Sequence, residues 1–490
     1  MAYSDLKAFI QRLREAGELK EISRPVDAAL EISEITDRVC KKGGPALLFT
    51  NVSGQKTPVL INAFGSKRRM ELALEADSLD GIAEEISALL TPDVPRSLMG
   101  KLGMLPKLAR LNDLAPREVK SGSCQETVIT DNPTLDDLPI ITCWPEDGGP
   151  YITLGLVITS HPDQGSRNIG LYRLQKFDGR TLGMHWQRHK GGAEHYRAAE
   201  ARGQRLEAAI ALGPDPAVTY AATAPLPPEI SELMLAGFLR RKSVEIVRCK
   251  TIDQWVPANC QIVLEGYVEP GERRREGPFG DHTGFYSLAD DYPVFHLTAI
   301  TACKDPVYPA IIVGRPPQED AWLGKATERI FLPLIRTALP EVVDISLPAE
   351  GIFHNFAIVS IRKRYPGHAR KVMHALWGLG QMMFTKYIIV LDEHANVHDL
   401  QEVLWRLGTA TDPKRDLEFA SGPTDVLDHA ALGSFDDPRA DALLAEADVL
   451  LTHWGAPLVD ADVLDRAPAL RLVAHGAGTV KGIVDPVVFE

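Results

Sequence analysis

The chain lacks any apolar stretch approaching the roughly 20 residues that span a bilayer. Its opening, MAYSDLKAFIQRLREAGEL, is an amphipathic helix pattern without the apolar core of a secretory signal. A cytoplasmic protein is expected. Cysteine is sparse: Cys40, Cys124, Cys143, Cys249, Cys260 and Cys303 are scattered with no C-x-x-C pair. Neither a zinc cluster nor a disulfide framework is signalled, and reduced, buried thiols are expected. Positive charge is also in deficit. A formal net charge of -13 disfavours nucleic acid, which needs a basic footprint, while leaving room for a local basic pocket around one small anion. No internal repeat and no low-complexity tract interrupts the 490 residues, a length that suggests roughly three domains.

What is present alternates between helix and strand periodicities. Residues 1–115 carry helical LKAFIQRLREAGEL and DGIAEEISALL around strand-like ALLFTNV and PVLINAF. The Pro-rich DNPTLDDLP reads as a linker. Residues 116–305 are dense in strands, among them YITLGLVITS, NIGLYRLQKF, SVEIVRC, CQIVLEGYV and VFHLTAITA, which predicts a barrel-like β domain. Residues 306–432 predict an α/β layer from helical KVMHALWGLGQMMF, a buried strand KYIIVLDE and helical HDLQEVLWRLGT. Residues 433–490 begin a new αβ alternation.

Four segments could carry chemistry. In EGPFGDHTGFY, Glu276 and Asp281 flank Gly277, Pro278 and Gly280, so the chain could double back and bring two carboxylates to one cavity with their pKa values pushed apart. The plain alternative is a polar turn between strands. In RNIGLYRLQKFDGRTLGMHWQRHKGG, Asn168, Arg173, His185 and His189 lie on an expected hairpin turning at Asp178 and Gly179. An Arg in a dry pocket can clamp a carboxylate bidentately. Asn168 and Arg173 are an odd number of residues apart, so a regular strand points them to opposite faces. Either Gly170 marks a bulge or the two serve two sides of one ligand. In PLPPEISELMLAGFLRR, Glu232 falls in the first turn of a helix, where the dipole alone would favour it. Carboxylate, amide oxygen and imidazole together suit Mn²⁺ or Mg²⁺. Lys386, before YIIVL, could meet a phosphate or be a solvated strand end.

Together NIGLYR, MHWQRHKGG, PPEISE, VLEGYVEPGE, EGPFGDHTGFY, GRPPQED, GHARKVM and FTKYIIVLDE resemble, in order and up to TDVLDHA at about Ala430, the UbiD family of reversible carboxy-lyases. The resemblance implies an α+β multidomain fold: an N-terminal αβ domain, a central split β-barrel that binds flavin, and a C-terminal α/β domain. It implies non-oxidative decarboxylation of an aromatic acid by prenylated FMN. By the same analogy Asn168, His189 and Glu232 ligate a divalent metal, usually Mn²⁺, that tethers the flavin phosphate, with K⁺ nearby. Ile169, Leu171, Tyr172, Arg173, His185, Trp186, Gln187, Lys190 and Gly191 would line the cofactor, and Lys386 would reach its phosphate. Arg173, Glu276 and Asp281 match the family's reacting Arg, Glu and acidic positions, with Asp281 expected to donate the proton.

The family analogy further implies a homo-oligomer, dimer or hexamer, and a flavin prenyltransferase that supplies the cofactor. Candidate substrates are a polyprenylated 4-hydroxybenzoate of ubiquinone biosynthesis, a naphthoate of menaquinone biosynthesis and a simple phenolic acid. A polyprenylated one would bring the enzyme to a membrane surface. A non-catalytic flavin-binding subunit is the other class of function, and the presence of Arg173, Glu276 and Asp281 together argues against it. Beyond Leu432 the family's Gly-rich, Lys-containing stretch and helical tail are missing. Instead ADVLLTHWGAPLVDADVLDRAPALRLVAHGAGTVKG resembles the start of an NAD-dependent 2-hydroxyacid dehydrogenase. Gly476, Gly478 and Gly482 do not have the dinucleotide-binding spacing. The tail is expected to be a truncated fusion or joining artefact that cannot complete a doubly wound sheet and bury VLLTHW and LRLVAH, which are an aggregation hazard if left unpaired.

Overall fold

The computed structural model describes residues 2–90, 114–187, 190–226, 230–425, 427–430, 443–452, 458–475 and 484–489. Apolar residues at helical spacing build α1 (Leu6–Glu15), which buries Leu6, Phe9, Ile10 and Leu13. The Asp5 side chain caps it by accepting from the Ala8 amide. Beside it lies a small sheet of β1 (Leu19–Ile22), β2 (Ala46–Phe49) and β3 (Val59–Ile61). A strand from far along the sequence, Tyr308–Pro309, completes this sheet by pairing parallel to β3.

The central region is a barrel. Its staves are β4 (Tyr151–Ser160), β5 (Arg167–Lys176), β6 (Thr181–Met184), β7 (Leu206–Leu212), β8 (Ile262–Glu276) and β9 (Asp290–Ala302). The order is β8-β7-β4-β5-β6-β9, and β8 pairs again with β9, which closes six strands with no free edge between them. Thr127–Ile129 adds to the outside of β9. The expected hairpin forms, with Lys176 opposite Leu182 and Asp178 accepting from the Arg180 amide and the Thr181 hydroxyl. Alternation divides the walls: Val157, Leu174, Leu182, Ile210, Leu264 and Phe295 share one buried cluster. Leu156, Ala209, Ala211 and Val263 face another, shared with helices α2 (Pro216–Ala221) and α3 (Glu232–Leu239).

The 20-residue helix α4 (Glu319–Ala338) follows. After it, β10 (Val342–Ser346), β11 (Phe356–Ile361) and β12 (Tyr387–Asp392) form a three-stranded sheet. The predicted buried strand before Asp392 is only partly covered. It is an edge strand, paired on one side with β11 alone. All six cysteines are free and buried, as their scatter suggested. None of the described helices is long and apolar enough to cross a membrane.

The chain divides into two compact units, Met1–Gly422 and Pro423–Glu490. The second has its own small core of Leu444, Val459, Val463 and Ala467. Its strands Val449–Thr452 and Leu472–His475 pair parallel with each other as a two-stranded sheet. Gly476, Gly478 and Gly482 lie outside the described residues.

Candidate active site

Strand β5 carries the organising residue. Arg173 is nearly enclosed, and its guanidinium spans two carboxylates. Nε and Nη2 donate to Glu276 Oε1 and Oε2 at 3.0 and 3.1 Å, a bidentate fork. Nη1 donates to Asp281 Oδ2, and Nη2 also donates to Ser287 Oγ at 3.0 Å. The guanidinium stands over the Phe279 ring, 4.9 Å from its centroid. The turn between Glu276 and Asp281 is fastened from outside. Gly277 N donates to Gln175 Oε1 and Gly280 N to Asp147 Oδ1, each at 2.8 Å, while Pro278 O accepts from Gly148 N at the same length. Gly277 has φ +95°, a conformation that L side chains rarely adopt.

The electrostatics follow from burial and pairing. Burial pushes Glu276 up, but the His185 hydrogen bond and the Arg173 charge outweigh it and hold the carboxyl below its usual range. Burial also pushes Asp281 up, and its bonds to His282 together with the charge of Arg173 bring it well below. His185 goes the other way: desolvation first, then the Arg173 charge, lowers it. At neutral pH it is therefore a neutral ring whose Nδ1–H donates to Glu276 Oε2 at 3.1 Å.

A second cluster forms where β5 meets helix α5 (Gly191–Glu200). Pairing of β5 with β4 runs without a shift from Arg167 to Tyr172, so Gly170 is not a bulge. The extra residue sits in β4, between Ile152 and Gly155, opposite Arg173. Asn168 and Arg173 thus leave the strand on opposite faces. Glu232 lies at the start of α3, where Ser231 caps the helix by accepting from the Leu233 amide, and its carboxyl faces the backbone of Ile169, the residue after Asn168. Burial raises Glu232 to about 7. Gly191 leaves room for Asn168, since a Cβ there would come within 2.3 Å of its Oδ1.

Two buried polar atoms here, Asn168 Nδ2 and Trp186 Nε1, and a third beside Glu276, His185 Nε2, have no hydrogen-bond partner. Native interiors rarely leave such atoms unmatched, so they fit a polar ligand seated here. Oxygen donors from Asn168 and Glu232 suit a hard divalent cation. Among the described residues no three His, Cys, Asp or Glu side chains converge as a metal cluster. His189, the expected third ligand, lies outside the described residues.

The other expected residues are placed as follows. Ile169 is buried with its side chain in the core, leaving only its backbone for a ligand, and Leu171 N donates to Ala222 O at 3.1 Å. The Tyr172 hydroxyl accepts from Gly192 N at 3.3 Å and so holds the start of α5. Gln187 O accepts from Lys190 N, and Lys190 Nζ donates to Gln381 Oε1 at 3.0 Å. That contact brings the α5 N-terminus to the segment that leads to Lys386, which is exposed. Sequence reasoning missed Ser287, His282 and His354. His282 was visible as an imidazole beside Asp281, whereas nothing local distinguishes His354.

Comparison with known proteins matches this architecture over residues 10–89, 117–316 and 321–437. The 3-octaprenyl-4-hydroxybenzoate carboxy-lyase N-terminal domain matches residues 10–89, its Rift-related domain 117–316 and its C-terminal domain 321–437. An uncharacterized protein of Aquifex aeolicus is 54% identical over 431 residues, 87% of this chain and 89% of its own. The UbiD-class enzyme HmfF from Pelotomaculum thermopropionicum, solved in an evolved dimeric form in complex with prFMN, superposes with a TM-score of 0.74 at 31% identity, covering 84% of this chain and 91% of the other. Vanillic acid decarboxylase of Sedimentibacter hydroxybenzoicus in its closed form superposes at 0.77 with 28% identity, covering 88% and 90%. With all three domain types matched in order on a chain whose barrel aims Arg173 at two buried carboxylates, this protein belongs to the UbiD family of carboxy-lyases.

Proposed function

We propose that the chain releases CO₂ from an aromatic carboxylic acid using prenylated FMN, with Arg173, Glu276 and Asp281 at the reacting centre. The observation that carries this reading is the single guanidinium shared by two buried carboxylates. Loss of CO₂ from an aromatic ring leaves an electron pair in the ring plane, which no side chain can delocalise, so a cofactor must supply the sink. Prenylated FMN supplies that sink when bound.

The protein's own part is positional and acid–base. Arg173 holds Glu276 ionised and offers its remaining capacity to the substrate carboxylate. Asp281, on the same guanidinium, is placed to give the ring carbon the proton that replaces CO₂. Asn168, Glu232 and His189 would hold Mn²⁺ or Mg²⁺, with K⁺ beside it. Lys190, Lys386 and the α5 N-terminus would face the flavin phosphate, an anion that a helix N-terminus favours.

A polyprenylated 4-hydroxybenzoate is the leading substrate, in keeping with the description of the matching family, and it would place the enzyme at a membrane surface. A flavin prenyltransferase would supply the cofactor. Exposed Tyr387, Leu404 and Trp405 support a homo-oligomer. The test is protein co-expressed with a flavin prenyltransferase, mass spectrometry of its bound flavin, and a screen of aromatic acids for CO₂ release. Full turnover with unmodified FMN, or without flavin, would overturn the reading.

A further inference from the structure

If the proposed decarboxylation is right, each turnover consumes a proton: R–CO₂⁻ and H⁺ give R–H and CO₂. Asp281 is a poor place to keep that proton. Its Oδ2 is bonded to Arg173, and its Oδ1 accepts from His282 N and meets His282 Nδ1, both at 2.7 Å. A nitrogen facing an ionised carboxylate at that distance carries the hydrogen. On the far side of the ring, His282 Nε2 lies 2.8 Å from His354 Nε2. Two ring nitrogens in contact must divide as donor and acceptor, so in the neutral pair His354 Nε2–H donates to His282.

Phe353 stacks on His282 at 5.4 Å and 27°. The turn that presents His354 passes through left-handed Ile352 and Phe353. His354 is only partly covered, whereas Asp281 is 6% exposed. Among the described residues, the charged and titratable groups facing this pair include Asp281, with Arg173 behind it, and Asp320 in the first turn of α4. Burial raises Asp320 to about 7.

We propose that His282 and His354 form a two-imidazole relay that feeds Asp281 the proton it passes on in each turnover. With Asp281 ionised at rest, the proton it passes to the ring carbon is drawn from His282 Nδ1 as CO₂ leaves, and the former C–CO₂ bonding pair ends in the new C–H bond. His282 takes a proton at Nε2 from His354, His354 takes one from solvent, and Asp281 is left ionised as it began. Ring rotation then restores the starting tautomers.

The test has two arms. In ¹⁵N-histidine-labelled protein without flavin, NMR should show His282 as the Nδ1–H tautomer, and His354→Phe should shift the His282 titration. In holoenzyme, His282→Asn keeps a donor toward Asp281 but cannot relay. Both variants should keep flavin content and KM while kcat falls roughly tenfold or more, and added imidazole should restore part of the rate. Wild-type kcat in both variants, or a His282 titration indifferent to His354→Phe, overturns the relay. If prenylated-flavin-loaded wild type releases no CO₂ from 4-hydroxybenzoate, vanillate or 3,4-dihydroxybenzoate, the decarboxylase reading fails for those acids, and the NMR arm decides the relay alone.

Discussion

At the scale of single residues, Arg173 sets what its neighbours can do. Replacing it with an apolar residue would leave Glu276 and Asp281 buried without their cation, and breaking a buried pair of this kind costs about 3–5 kcal/mol. A cleaner probe keeps the pairing geometry. Asp281→Asn should retain metal and flavin and lose about 10²- to 10⁴-fold in turnover, measured as CO₂ release against flavin content. If the Asn variant turned over normally, the donor role would pass to Glu276. Glu232 makes a pH prediction. Its folded-state value is raised to about 7 from 4.5, so in metal-free protein the fold prefers the protonated acid. That contribution to stability is fully present below about 4.5 and is lost as pH rises to about 7. A divalent cation needs the carboxylate. Mn²⁺ affinity should therefore climb at least about tenfold per pH unit below 7 and level off above it, as followed by the electron-paramagnetic signal of free Mn²⁺.

At the scale of elements, the approach of α5 to β5 depends on one missing side chain. Gly191→Ala would press a methyl on the Asn168 amide, and the expected outcome is loss of Mn²⁺ and flavin together with a melting temperature close to wild type. Retention of both on a metal and flavin assay would show that the amide can move aside. Much at this scale was legible in advance. The strands of the barrel and the hairpin at Asp178 follow from alternation and turn chemistry, which are local. The Glu276–Asp281 turn showed its carboxylates and glycines but not its partner, since Arg173 is 103 residues from Glu276. A bulge at Gly170 was one of two readings of the odd Asn168–Arg173 spacing, the other being two faces of one ligand, and the regular pairing there removes the first. The bulge falls instead in β4, where no single residue advertises it. The strand before Asp392 looked buried because its composition is apolar, yet composition does not tell an edge from a centre.

At the scale of the whole molecule, Pro423–Glu490 forms a compact unit of its own, and the chemistry assigned above draws only on the first unit. A chain ending at Ala431 should keep flavin content and CO₂ release, with solubility equal or better. Loss of either on truncation would show that the tail has been taken into the working enzyme, and the mass of the assembly in solution would show whether it bears on oligomerisation. The N-terminal sheet has a different dependence. Its β3 edge is covered by Tyr308–Pro309, and the Phe64 amide nearby donates to Glu319 Oε1 at 2.7 Å. Roughly 250 residues separate β3 from its covering strand. At 5–20 residues per second, that edge leaves the ribosome on the order of 10–50 s before anything native can seal it. The opening segment is then expected to keep that edge open for most of synthesis. A ribosome-stalled chain ending near residue 300 should be cleaved by protease within residues 46–64, and one extended past residue 340 should resist.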